Sequence, residues 1–161
     1  MSTPRFHDGM RLVSTRTAIN CAGLFVVSTL TKWGARTILR SVVLETEELV
    51  TAAVNATGIP EERAYWTKLI RIEYITVQLY GFDTSVRIEA WDSAPNLPLL
   101  PEEAESTVKR GYYPTPGGKV VWAELPILPY RPSHPPQPAT EQFAQDDPDL
   151  LRRVRDGLEG L

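Results

Sequence analysis

The sequence predicts a two-layer α/β sandwich in which helices pack on one face of a mixed, mainly antiparallel sheet. Three observations predict it. Two apolar stripes at helical spacing occupy the first 57 residues, and the pattern changes near Lys68 to one rich in Ile, Val, Tyr and Thr. The third is composition: 161 residues with 42% apolar and 23% charged side chains are enough for one core and one domain with a tail.

Residues 1–9 read as a flexible N-terminus. From residue 17 to residue 33, Ile19, Ala22, Val26, Leu30 and Trp33 fall on one helical stripe, and Gly34 stands where a left-handed C-terminal cap is expected. A second helix over residues 37–57 is sharply two-sided. At 100° per residue, Ile38, Leu39, Val42, Val43, Leu49, Val50, Ala53 and Val54 form a core face, while Ser41, Glu45, Glu48, Ala52 and Asn55 share the opposite one. Gly58-Ile59-Pro60 ends it, since glycine permits the cap and proline lacks the N–H that would continue the helix.

Residues 68–91 read as a β-hairpin with its turn at Gly81-Phe82-Asp83-Thr84. Residues 93–110, with three prolines and the acidic run Glu102-Glu103-Ala104-Glu105, read as a loop of at most one or two helical turns. A last hairpin pairs a short strand at Tyr112 and Tyr113 with residues 119–125 across Pro116-Gly117-Gly118, and Val120, Trp122 and Leu125 supply its apolar pattern. Seven of the 14 prolines lie between residues 126 and 148, so the domain over residues 10–128 is expected to give way to an extended linker, 129–146. Asp147-Pro148 then opens a short amphipathic helix, 147–161, striped by Leu151, Val154, Leu158 and Leu161. Docking helix and frayed tail are both open for a segment this short. No internal repeat is present.

Composition excludes several functions. Seventeen basic against 20 acidic residues give a net charge of −3, which argues against neutralising nucleic-acid phosphates. The longest apolar run, residues 21–27, is far short of the ~20 residues needed to cross a bilayer. Residues 1–8 have no apolar stretch suited to a secretion signal, and one cysteine makes no internal disulfide, so a cytoplasmic setting is expected. His7 and His134 are far apart in the expected tails, which leaves no zinc site, and Cys21 reads as a buried, inert thiol. Neither Walker nor dinucleotide glycine motifs occur. Trp33, Trp66, Trp91 and Trp122 fall one to each element, as packing residues do.

Three pieces remain: Glu48-Leu49-Val50-Thr51-Ala52-Ala53 on the acidic face of the second helix, Asp92-Ser93-Ala94-Pro95 at the end of a strand, and residues 115–126 closing the domain. In this order they resemble the bacterial anti-sigma-factor serine kinases, small members of the histidine-kinase-like ATPase superfamily (the GHKL or Bergerat fold). The resemblance spans residues 10–126 and takes in Ser14-Thr15-Arg16-Thr17-Ala18 ahead of the first helix.

The resemblance implies ATP and Mg²⁺ as cofactors, Glu48 as general base, and Asp92 as acceptor of a hydrogen bond from the adenine amino group. A turn-forming aspartate is the plain alternative for Asp92. The family's first motif, E-L-x-x-N-A, matches Glu48 and Leu49, but Ala52 replaces the asparagine that holds Mg²⁺ against the phosphates. Asn55, three residues and about 4.5 Å further along the helix, is the candidate to take its place. The family's glycine-rich lid has no counterpart: the 24 residues between Asp92 and Gly117 hold one glycine, and prolines at 95, 98, 101, 114 and 116 have no N–H to offer a phosphate. Phosphoryl transfer depends on positioning and charge stabilisation. The expected function is therefore regulatory protein binding, with a sigma factor, an anti-sigma antagonist or a second copy as partner, and ATP binding weak or absent. An active serine kinase is the alternative.

Overall fold

A computed structural model of the chain describes residues 3–59, 72–98 and 107–128. The chain divides after Leu128. The expected linker 129–146, the helix 147–161, Trp66 and the acidic run 102–105 lie outside the described residues.

Strand β1 (Phe6–Val13) is followed by helix α1 (Thr17–Lys32) and then by helix α2 (Leu39–Thr57), which a single 3-10 turn at Arg36–Ile38 introduces. Strands β2 (Tyr74–Gly81), β3 (Ser85–Asp92), β4 (Lys109–Thr115) and β5 (Gly118–Pro126) complete the domain. They form one five-stranded sheet in the order β1-β2-β3-β5-β4, with every neighbouring pair antiparallel. The two helices pack against each other on one face of this sheet, α1 over β1 and α2 over β2, β3 and β5. The result is a two-layer α/β sandwich.

Each helix buries the stripe that its periodicity marks out. Ala18, Ala22, Val26 and Leu30 of α1 and Val42, Val50, Ala53 and Val54 of α2 are buried against Ile75, Val77 and Leu79 of β2 and Val86 and Ile88 of β3. Thr46 is fully buried in the same stripe, and its hydroxyl donates to the Val42 carbonyl at 2.7 Å, which satisfies it within its own helix. Gly34 takes φ +76 just beyond the Trp33 cap, the left-handed turn that glycine makes without strain. At the end of α2, Gly58 is extended. Its N–H bonds back to Val54, and Ile59 N–H donates to the Ser14 carbonyl at 2.9 Å, tying the helix to the segment between β1 and α1.

Three expectations are corrected. Residues 6–9 are part of β1, paired along the whole of β2, where a flexible N-terminus is expected; alternation there is obscured because the core side carries Phe6, Asp8, Met10 and Leu12, of mixed polarity. Cys21 is exposed, since it lies 100° around α1 from the buried Ala22. Gly58 does not take the expected left-handed cap; it is extended, at φ −110 and ψ −158, because its neighbour Ile59 is drawn to the Ser14 carbonyl. In β5 the period of two turns Lys119, Val121, Ala123 and Leu125 toward the helices and leaves Val120, Trp122 and Glu124 on the opposite face.

Candidate functional site

A cleft of about 360 Å³ opens between α2 and the end of the sheet formed by β3, β5 and β4. Its helical wall is Glu45, Glu48, Leu49, Ala52, Ala53 and Ala56, residues spaced by three and four that present one face of α2. Its floor comes from the helix-facing residues Ala90 and Asp92 of β3 and Lys119 and Val121 of β5, with Asn96 and Pro98 at one side. Glu48, Ala52 and Asp92 thus converge, although 44 residues separate the two acids in sequence. Asn55 does not line this cleft. It shares with Glu48 and Ala52 a shallow depression on the outer side of α2, bordered also by Leu44, Glu47 and Thr51, because three further residues set it about 60° around the helix from Ala52 and away from Asp92.

The floor is dominated by an interaction that inspection of motifs misses. Asp92 and Lys119 are directly opposed in the β3–β5 register, and the Lys119 ammonium lies 2.7 Å from Asp92 Oδ1, with side chains only 3% and 5% exposed. The same oxygen accepts from the Ala94 N–H at 2.8 Å, and Lys119 also donates to the Ala94 carbonyl at 3.3 Å. A buried carboxylate needs such partners because desolvation is otherwise prohibitive. The available signal was parity: Lys119 is in register with Val121, Ala123 and Leu125, so a lysine had to point inward with them.

At the mouth, Arg110 of β4 reaches across to α2 and grips Glu45 through two nitrogens, Nε at 3.1 Å and Nη2 at 2.6 Å. This bidentate pair is partly buried, with side-chain exposures of 21% and 14%. Glu48 stands exposed at the rim with no hydrogen bond or ion pair among the described residues.

These residues do not fit a Mg²⁺–ATP complex. The carboxylate that would read adenine is held by an internal cation. Where the resemblance would place a metal ligand stands a methyl group, Ala52. The volume lies near the lower limit of small-molecule pockets, about 300 Å³. Among the described residues no group of three or more His, Cys, Asp or Glu side chains is gathered for a metal ion, and no helix is long and apolar enough to cross a membrane. No protein-family model matches the chain, and comparison with curated proteins finds no match.

Proposed function

We propose that the chain is a non-catalytic regulator with the histidine-kinase-like ATPase fold, related to the anti-sigma-factor serine kinases and acting by binding a sigma factor or an anti-sigma antagonist without phosphotransfer. The observation that carries this reading is the Lys119–Asp92 pair, 2.7 Å apart and almost wholly buried at the place where the resemblance puts the adenine-reading carboxylate. An adenine amino group would have to compete with a buried ammonium for that oxygen, and the ammonium is the stronger partner. The two helices, Glu48 and Asp92 on one cleft, and the position of Asp92 at a strand end support the relationship. Ala52 and the absent glycine lid support the loss of chemistry.

Titration with ATP in the presence and absence of Mg²⁺ tests the nucleotide half of the proposal: no saturable, Mg²⁺-dependent binding is expected. A low-micromolar, Mg²⁺-dependent Kd would restore the kinase reading. Sedimentation of the purified chain with sigma factors and anti-sigma antagonists from the same genome tests the other half. Complex formation that is independent of ATP is expected for at least one of them, and complex formation that appears only with ATP, or with none of them, would overturn the proposal.

A further inference from the structure

The two edges of the sheet differ. Strand β4, at one edge, carries Lys109 and Pro114, a charge and a residue without an N–H, and both are devices that keep an edge from pairing. Strand β1, at the other, has neither over its eight residues, and its register with β2 runs unbroken from Phe6 to Val13. The direction of its free groups follows from the ladder. Ser14 N–H donates at 2.8 Å to the carbonyl of Glu73, the residue opposite it when that register is continued, so the even-numbered residues bond to β2 while His7, Gly9 and Arg11 turn their N–H and C=O groups outward. Among the described residues these outward groups meet one partner, the Asp8 carboxylate, which accepts from the Gly9 N–H at 2.9 Å.

The rim beside this edge is only partly covered. On the helix side, Ile75, Val77 and Leu79 of β2 are fully buried, but Asp8, Met10 and Leu12 of β1 are partly buried and Phe6 is 48% exposed. Helix α1 therefore sits inboard of the edge. Its Gly23 abuts Val43 and Glu47 of α2, so the flank turned away from α2 holds Cys21, Phe25 and Ser28, all uncharged, with Lys32 at its end.

We propose that two copies of this chain pair antiparallel along β1 about a two-fold axis at Gly9, joining two five-stranded sheets into one. That register sets His7 opposite the partner's Arg11 and Gly9 opposite the partner's Gly9, so the outward groups of all three residues are exchanged between the copies, and Asp8 releases the Gly9 N–H. On the helix side Phe6 meets the partner's Leu12 and Asp8 meets the partner's Met10, which covers the exposed phenylalanine and brings no like charges face to face. Other registers do worse. A shift by one residue opposes the outward groups to residues already bonded to β2, and an axis at Met10 sets His7 against the partner's Val13, whose carbonyl already accepts from Thr15. A strand of another protein has no reason to present this same set of free groups with an apolar residue at each end, whereas a second copy does so by symmetry. The pairing is separate from the α2 cleft and does not depend on the proposed regulatory role.

Sedimentation equilibrium of the full chain reads the association, and a monomer–dimer equilibrium with a Kd of about 100 μM or tighter is expected. Hydrogen exchange over the same concentrations reads the interface: the His7 and Arg11 amides, open in the monomer, are expected to slow about tenfold or more as the dimer fills. Gly9→Lys sets an ammonium against its own copy at the axis and is expected to weaken association about tenfold or more, while Gly9→Ala retains it. A Cβ at Gly9 meets only Gln78 Cγ and the Val77 carbonyl oxygen, both at the ordinary contact distance of 3.5 Å. If Gly9→Lys fails to fold, exchange in the unaltered chain decides the matter. A chain that stays monomeric at about 1 mM, a dimer whose His7 and Arg11 amides exchange as freely as in the monomer, or a folded Gly9→Lys that associates unchanged would each overturn the proposal.

Discussion

Lys119 faces Asp92 across the β3–β5 ladder, and the two side chains meet 2.7 Å apart beneath α2 with almost no access to water. The pair closes the floor of the cleft. Lys119→Met leaves Asp92 charged and buried with only the Ala94 N–H, and is expected to cost about 3–5 kcal/mol. The double variant Lys119→Met with Asp92→Leu is expected to recover most of that, since apolar replacement of a buried pair is often neutral. Urea unfolding of the two singles and the double checks it. Additive losses would show that the charges do not act as a pair.

Ala52→Asn returns the side chain that the family resemblance places against Mg²⁺. On its own it is expected to produce neither Mg²⁺-dependent ATP binding nor hydrolysis, because Lys119 still holds Asp92 and the prolines at 95, 98, 114 and 116 still offer no N–H groups. Calorimetry and a phosphate-release assay measure this. Hydrolysis in the single variant would mean that Ala52 alone silences the site.

Gly58 and Gly34 are expected to respond differently to alanine. A Cβ at Gly58 would stand 2.1 Å from the Ser14 carbonyl oxygen and would force apart the link between the end of α2 and the start of α1, so Gly58→Ala is expected to lose about 3 kcal/mol or more. A Cβ at Gly34 meets nothing within 4 Å, and the cost there is the left-handed backbone alone, about 1–2 kcal/mol. Thermal melts that rank Gly34→Ala as the worse change would contradict the close approach.

Stability is expected to fall on the alkaline side. The phenols of Tyr80 and Tyr113 are raised above the ordinary 10.0 by burial first and by Glu89 next, so the folded state keeps protons that the unfolded chain releases. That contribution is fully present below pH 10.0 and is lost as pH rises through the folded values. Unfolding followed against pH, alongside the tyrosinate absorbance, checks the sign. A Tyr80→Phe/Tyr113→Phe double variant with an unchanged alkaline limb would place the loss elsewhere.

By itself the sequence determined the helices and most of the strands, because each depends on a period that neighbours in the chain display: the α1 and α2 stripes, the glycine after Trp33, and the turns at 81–84 and 116–118 are local signals. It also brought forward Glu48 and Asp92, which line one cleft. Strand β1 carries no local signal, because its core side mixes Phe6, Met10 and Leu12 with Asp8, and only pairing with β2 makes it a strand. Tertiary structure alone decided that Asp92 is met by Lys119, 27 residues away, that Arg110 is committed to Glu45, and that Asn55 turns out of the cleft. Tertiary structure also set Tyr80, Trp91 and Tyr113 around Glu89. Periodicity says which face a residue occupies, but the register between strands says which residue it faces, and register is set by the packing of the whole sheet.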